Sequence, residues 1–234
     1  MEPTRGIQIY RDLIQGTDEW MAARCGLLTA SEMDRVLTPT LKIANNAESR
    51  SHLWELLAQR ITGYVEPHYI SDDMMRGMDD ESRARDLYAV RYAPVEQVGF
   101  VTNDRWGFTL GCSPDGLVGD DGLIECKSRR QKYQIQTLIE NVGEQTAPQE
   151  YALQIQTSLL VTERKWCDFV SYSGGLPMAT IRVKPDAAIQ EAIIKAATAF
   201  EEKLAEKLAT YRLLEKSGAR LIPTERTPLQ EIAV

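Results

Sequence analysis

The sequence predicts an α/β fold in which helices flank a central mixed β-sheet. Three observations favour this class: helical patterns in the first third, short turn-bounded apolar runs in the middle, and one long amphipathic stretch near the end. Helices, then strands, then helices are typical of layers packed around one sheet. The chain has 234 residues, 43% of them hydrophobic, which is enough for one sizeable core. We therefore expect a single domain, residues 1–234, that is mainly helical to about residue 95, forms the sheet over about 96–185, and ends in a helix and tail.

Capping signals and helical periodicity predict four helices in the first third. Thr17, followed by two acidic residues, is an N-cap for a helix that ends near Gly26. Thr29-Ala-Ser-Glu32 has the pattern of a capping box that opens a second helix. The other two are predicted over residues 47–61 and about 74–92.

Short apolar runs between turn residues predict the strands of the sheet. These runs are residues 97–102, 107–112, 116–118, 123–127, 166–172 and 179–183. A helix over about 148–161 separates the fourth run from the fifth, and a long amphipathic helix over about 186–214 closes the fold.

Composition narrows the function classes. No run of about 18 apolar residues exists, which predicts no membrane span. The first residues lack the apolar core of a signal peptide, and the four cysteines form no CxxC pair, so we expect free thiols and a cytoplasmic location. With two histidines, any metal is expected to have oxygen ligands, which points to Mg²⁺ or Mn²⁺. The net charge of −7 argues against indiscriminate nucleic-acid binding but allows a local basic groove.

The stretch CSPDGLVGDDGLIECKS, residues 112–128, brings two acids and a lysine together. If Gly119–Gly122 is the loop of a hairpin, Val118 lies opposite Leu123, and Asp115 lies opposite Cys126 beside Glu125. Because side chains alternate along a strand, Glu125 and Lys127 share a face and Cys126 points to the other. Three charged groups are therefore predicted to converge.

Such a convergence fits metal-assisted hydrolysis of a phosphodiester. Asp115 and Glu125 would hold Mg²⁺, with the backbone carbonyl of Cys126 as a further ligand, and the metal charge would offset the repulsion between the acids. Lys127 would orient the water or stabilise charge on the phosphate. The alternative is an ordinary surface hairpin, because PDG and DDG are common turn sequences.

Pro114-Asp115, a spacer, then Glu125-Cys126-Lys127 resembles the signature of the PD-(D/E)xK nucleases, which have a restriction-endonuclease-like core. The fuller strings CSPDGL and GLIECK, with further matches from Trp20 to about Tyr172, resemble the phage lambda exonuclease family. This resemblance implies a nuclease domain whose first part binds DNA ends and whose sheet carries the catalytic residues.

The segment DEWMAARCGLLTASEM holds two candidates for anion binding. Ser31 falls in the predicted first turn of a helix, where free backbone N–H groups favour an anion, and Arg24 could clamp a phosphate. The resemblance implies that Arg24 and Ser31 grip the 5′-terminal phosphate of DNA. The alternative is that Arg24 pairs with a surface acid and Ser31 only supports the cap.

Two polar residues lie on partly apolar helical faces and need partners. The resemblance implies that Glu81 contacts the metal or its water; the alternative is an ion pair with Arg85. It also implies that Gln156, in YALQIQTSLL, positions the water or phosphate; the alternative is a core glutamine bonded to backbone.

A basic run follows the predicted catalytic strand. Arg129, Arg130 and Lys132 beside a nuclease centre are candidates for phosphate contacts, although such a run is usually a solvated face. In the resembled exonuclease the segment before Gly77 carries a basic residue, an apolar wedge and an aromatic. Here Asp72, Met74 and Arg76 stand there: Met74 could act as the wedge, but Asp72 cannot replace a basic contact.

The resemblance implies a Mg²⁺-dependent exodeoxyribonuclease that degrades one strand of linear duplex DNA from the 5′ end and leaves a 3′ overhang. It further implies a homotrimeric ring and a phage single-strand annealing protein as partner. Two alternatives stay open: a structure-specific or restriction-like endonuclease of the same superfamily, and a non-catalytic DNA-binding protein on a nuclease fold.

Overall fold

Two four-stranded mixed sheets form the framework of the protein. The computed structural model describes residues 6–67 and 72–226, without the side chains of residues 72–74. The first sheet has the order β1-β3-β4-β2, with β1 Ile7–Tyr10, β2 Leu28–Thr29, β3 Phe100–Asn103 and β4 Leu110–Cys112. The second has the order β5-β6-β7-β8, with β5 Gly116–Val118, β6 Gly122–Ser128, β7 Trp166–Tyr172 and β8 Ala179–Val183. The predicted α/β class is confirmed, but its strands divide between two sheets.

Helices cover both faces of the second sheet. They are α1 Asp18–Arg24, α2 Ala47–Thr62, α3 Asp72–Arg91, α4 Gln131–Gln136, α5 Gln149–Thr162 and α6 Ala187–Glu215. A 3₁₀ turn, Ala30–Arg35, follows β2, and a π-helical turn, Thr137–Asn141, follows α4. In the described part of the chain, no helix has the length and apolarity that crossing a membrane requires.

Strand alternation sorts the side chains of β6 between two apolar clusters. Leu123 joins the main core with α5 and α6, where it lies with Leu159 and Phe200. Ile124 and Cys126 join a smaller cluster under α3. The predicted split between Cys126 and its neighbours is therefore confirmed, and Glu125 and Lys127 lie on the α5 side of the sheet.

The hairpin register differs by one residue from the prediction. Val118 pairs with Gly122, and Leu117 with Leu123, so the loop has three residues rather than four. Gly119 adopts φ 51, which suits a short loop with a left-handed residue. Gly122 belongs to the strand because Trp166 packs on it: an added Cβ would lie 2.1 Å from the indole ring.

Helices α1 and α6 begin at side-chain caps that the sequence contains. Thr17 caps α1, and Asp186 caps α6 by accepting from the N–H groups of Ala188 and Ile189. The predicted capping box at Thr29 is corrected. Its hydroxyl donates to Glu32 at 2.6 Å instead of capping a backbone N–H, and the segment is a 3₁₀ turn rather than an α-helix.

Candidate active site

Asp115, Glu125 and Lys127 meet at one end of the β5–β6 hairpin. Asp115 lies in the short connection from β4 to β5, and its Oδ2 accepts a hydrogen bond from the backbone N–H of Cys126 at 2.6 Å. On β6, the Nζ atom of Lys127 lies 2.7 Å from Oε1 of Glu125. The structure thus brings together the three charged groups that the sequence predicts.

Burial and mutual charge shift the pKa values of the three groups in this site. Burial raises the pKa of Asp115, although Lys127 and the Cys126 N–H partly offset this. Burial, together with the nearby Asp115 charge, raises the pKa of Glu125 to about 7. For Lys127, burial lowers the pKa, but the carboxylates of Glu125 and Asp115 outweigh it, so the pKa is raised. Lys127 is therefore an ammonium at neutral pH, while burial favours the protonated form of each acid.

Glu81 on α3 is a third carboxylate of this site. Its pKa is raised to about 7, by burial first and then by the charge of Asp115. Glu81 and Asp115 line one cavity of about 500 Å³. Among the described residues Glu81 forms no ion pair with Arg85, which instead donates to Ser82 at 3.3 Å. The geometry favours the site over the alternative of a surface pair.

A glutamine reaches the carboxylates, but it is Gln154 rather than Gln156. Nε2 of Gln154 donates to Oε1 of Glu125 at 2.5 Å. The predicted placement of Gln156 at the centre is corrected: its amide donates to the carbonyl of Lys184 and accepts from the N–H of Asp186. Two residues along an α-helix are about 200° apart, so the two glutamines of α5 face opposite sides.

The donor atoms of the site fit an oxygen-preferring cation. Oε2 of Glu125 is buried and has no hydrogen-bond partner. Because a buried carboxylate oxygen normally has a partner, this atom is suited to bind a cation. The thiol of Cys126 is directed to the other face, and burial raises its pKa well above the ordinary value, so it stays neutral. No group of three or more His, Cys, Asp or Glu side chains within the described ranges is close enough to form a metal cage by side chains alone.

Arg24 forms a second polar site, adjacent to the first. Its Nη2 donates to the hydroxyls of Thr29 at 3.1 Å and Ser31 at 3.5 Å, and its Nη1 donates to Ser113 at 3.3 Å. The guanidinium lies 4.5 Å from the ring centroid of Trp20. Its hydrogen-bond partners here are hydroxyls rather than the surface acid of the alternative interpretation, and the nearby charge of Glu32 also acts on the guanidinium.

Ser113 links the two sites through the backbone. It contacts Arg24 and stands two residues before Asp115. Trp20, whose indole N–H donates to Ser113 at 3.0 Å, lines both the carboxylate cavity and a cavity of about 430 Å³ around Arg24 and Ser31. The sequence patterns did not identify Ser113, Thr29, Trp20 or Gln154, because their roles depend on contacts between distant segments. The six-residue 3₁₀ turn after Thr29 is also too short for the helix-dipole argument made for Ser31.

The basic residues that follow β6 differ in their exposure. The prediction that Arg129 binds phosphate is corrected: its side chain is 7% exposed, and Nη1 donates to Glu150 at 2.8 Å and to the Tyr151 hydroxyl at 2.7 Å. Alternation along the strand places Arg129 on the α5 side with Glu125 and Lys127. Arg130 and Lys132 are exposed. The side chain of Met74, the predicted wedge, lies outside the described residues.

This fold, together with the convergence of Asp115, Glu125 and Lys127, defines a nuclease with a PD-(D/E)xK core. A family model described as a YqaJ-like viral recombinase domain matches residues 19–165, and the chain belongs to that family. No protein among the curated ones matches the sequence.

Solved structures agree with this assignment. An alkaline exonuclease from Laribacter hongkongensis (LHK-Exo) is 34% identical, with a TM-score of 0.75, over 87% of this chain and 100% of that one. The same exonuclease in complex with dAMP gives a TM-score of 0.76 at the same identity and coverage. A phage-related exonuclease from Haemophilus somnus 129PT, 13% identical over 78% of this chain and 96% of that one with a TM-score of 0.56, shares the fold. The protein is therefore a nuclease of the exonuclease type.

Proposed function

We propose that this nuclease is a Mg²⁺-dependent 5′-to-3′ exodeoxyribonuclease that acts on linear duplex DNA and leaves 3′ overhangs for phage-type recombination. The main observation behind the proposal is that Arg24 lies close to the carboxylate site. Ser113 contacts the guanidinium and lies two residues before Asp115, so a terminal phosphate at Arg24 would place the next linkage near the carboxylates. A pocket for a chain end is useful to an exonuclease and has no role in an enzyme that cuts within a strand.

Arg24 would hold the terminal phosphate. A guanidinium presents two parallel N–H groups that match phosphate oxygens, and the hydroxyls of Ser31 and Ser113 add donors. Trp20 packs against the guanidinium and limits its movement. The pocket therefore discriminates a 5′-phosphate from a 5′-hydroxyl.

Asp115, Glu125 and the backbone carbonyl of Cys126 would hold Mg²⁺, for which Mn²⁺ could substitute, and Glu81 would contact the ion through a bound water. When bound, the cation would offset phosphate charge and activate a water for attack. Lys127, kept as an ammonium by the neighbouring acids, donates to the attacking water or to a phosphate oxygen. Gln154 holds the Glu125 carboxylate in place through its hydrogen bond to Oε1.

Three further parts of the proposal come from the family. We expect a homotrimeric ring around DNA, a single-strand annealing protein that receives the 3′ overhang, and action in the cytoplasm of a bacterial host. Lys132 and Arg130, both exposed next to the catalytic strand, would contribute phosphate contacts outside the cleft.

Digestion of three substrates tests the proposal. Linear duplex with a 5′-phosphate, the same duplex with a 5′-hydroxyl, and closed circular duplex are compared with Mg²⁺ and with EDTA, each strand labelled separately. We expect Mg²⁺-dependent loss of the strand with the 5′-phosphate, slower loss from the 5′-hydroxyl end, and an intact circle. Efficient cutting of the circle would favour an endonuclease, and binding without any cutting would favour a non-catalytic protein.

A further inference from the structure

Arg85 on α3 lies in the carboxylate cavity, and no part of the mechanism above uses it. It lines the cavity of about 500 Å³ together with Glu81, one helical turn earlier, and Asp115. It is close enough to both acids to lower their pKa values through its charge. Arg85 is therefore a positive group on the α3 wall of the cavity, and the charges of Arg85 and Lys127 both act on Glu81 and Asp115.

Its hydrogen-bonding capacity is largely unused. Nε is buried without a partner, and the hydrogen bond that the structure gives the side chain is a long one from Nη2 to Ser82 on the same helix, at 3.3 Å. Among the described residues it forms no ion pair, although Arg129 and Arg182, two other arginines near this sheet, each pair with a carboxylate at 2.8 Å. A buried guanidinium donor without an acceptor is costly, which indicates that an acceptor is expected in the cavity.

The chemistry of the cavity identifies that acceptor. Arginine has five N–H donors and no acceptor, and its planar fork matches two oxygens of one phosphate. The acids nearby would be engaged with a cation, so the anion that suits Arg85 is the phosphate on which the nuclease acts. Ser82, beside it on α3, adds a hydroxyl on the same wall.

We propose that Arg85 is a catalytic residue that donates to a non-bridging oxygen of the scissile phosphate, an inference that rests on the proposed function. In the reaction a bond forms between the water oxygen and phosphorus, the P–O3′ bond breaks, and one proton of the water is transferred to the departing O3′, so the phosphate stays on the 5′ end of the remaining strand. Negative charge on the non-bridging oxygens is stabilised by Arg85 from the α3 side and by Lys127 from the β6 side. Arg85 on α3 and Lys127 on β6 thus each supply a positive charge to the phosphate.

Arg85→Met, Arg85→Lys and Arg83→Ala form the test set. Arg83 is the matched control, because it is exposed on the same helix and carries the same charge. The kcat and KM for 5′-phosphorylated linear duplex are measured in Mg²⁺, and thermal midpoints report folding. Binding of a fluorescent duplex is followed against salt with Ca²⁺ replacing Mg²⁺, under conditions where the duplex stays intact.

We expect Arg85→Met to lower kcat about 100- to 1000-fold, the range for losing one donor to a developing oxyanion. The slope of log affinity against log salt should become shallower by about 0.9, the value for one phosphate contact. Arg85→Lys should keep the slope but lose about tenfold in kcat, because an ammonium lacks the fork. Arg83→Ala should match the wild type in kcat and slope.

A wild-type kcat and salt slope in Arg85→Met would overturn the inference. If that variant does not fold, Arg85→Lys decides, since a wild-type kcat there leaves no role for the guanidinium fork. If the proposed function itself were wrong, the wild type would not degrade the linear duplex, so the two failures can be distinguished.

Discussion

The Asp115 carboxylate, in the connection that leads into β5, accepts a hydrogen bond from the backbone N–H of Cys126 on β6 at 2.6 Å. This bond ties the first acid to the strand that carries Glu125 and Lys127, so the three groups form one unit. Burial in that unit raises the pKa of both acids. The hairpin therefore places two carboxylates close together in a buried site, and a bound cation would offset their repulsion.

Asp115→Asn should remove catalysis while preserving the fold. The amide oxygen can still accept the Cys126 N–H, but the negative charge that would bind the cation is lost. We expect kcat to fall about a thousandfold or more, with DNA binding within about threefold of wild type. Lys127→Ala should behave in the same way. Single-turnover digestion and fluorescence anisotropy measure the two quantities, and substantial cleavage by either variant would show that the site is misassigned.

Glu81→Gln should change how the stability of the metal-free protein depends on pH. Folding raises the pKa of Glu81 from about 4.5 to about 7, so the folded state binds its proton more tightly than the unfolded state. That stabilisation is complete below about pH 4.5 and is lost as the pH rises to about 7. In EDTA, the fall in thermal midpoint between pH 5 and pH 8 should be smaller in Glu81→Gln than in wild type by roughly 3–6 °C.

Asp86→Asn is the matched control for that experiment, because Asp86 is exposed on the same helix. It should follow the wild-type curve. Parallel curves for wild type and Glu81→Gln would mean that Glu81 is not a buried member of the carboxylate group.

The two glutamines of α5 should have separable effects. Gln154→Ala removes the donor to Glu125 and should lower kcat about 10- to 100-fold with little change in stability. Gln156→Ala leaves the Lys184 carbonyl and the Asp186 N–H without their partner, and should destabilise by about 1–3 kcal/mol while the folded fraction keeps its kcat. Urea unfolding and steady-state kinetics distinguish them. If instead Gln156→Ala lowered kcat and Gln154→Ala lowered stability, Gln156 would be the glutamine of the catalytic centre.

Arg24→Ala should abolish the preference for phosphorylated ends. If Arg24 binds the terminal phosphate, wild type should favour 5′-phosphate over 5′-hydroxyl duplex by about 10- to 100-fold in kcat/KM, as expected for a charge-assisted hydrogen bond. The variant should show a ratio of about one. Arg50→Ala, a charge loss at an exposed position on α2, is the control and should keep the ratio. An unchanged ratio in Arg24→Ala would contradict an end-binding pocket.

Local patterns in the sequence predicted much of the site. Spacing and alternation were enough to place Asp115, Glu125 and Lys127 together, because a hairpin is a local structure. The register differs by one residue from the prediction because the packing of Trp166, 44 residues later, keeps Gly122 in the strand, although Gly-Asp-Asp-Gly favours a loop. That contact has no local signal.

Other features depend on contacts between distant segments. Gln154 and Gln156 could not be separated by periodicity, because α5 is buried on most sides and shows no clear polar face. The contact of Ser113 with Arg24 joins residues 89 apart. The division into two sheets depends on strands as short as the two residues of β2, whose partner β4 is chosen by tertiary packing.

The central claim is that a divalent cation binds between Asp115 and Glu125, and anomalous diffraction from crystals soaked in Mn²⁺ tests it most directly. We predict an anomalous peak within bonding distance of both carboxylates in the wild type, and no peak in Asp115→Asn. Crystals that show Mn²⁺ elsewhere, or no peak between these side chains at saturating metal, would contradict the account.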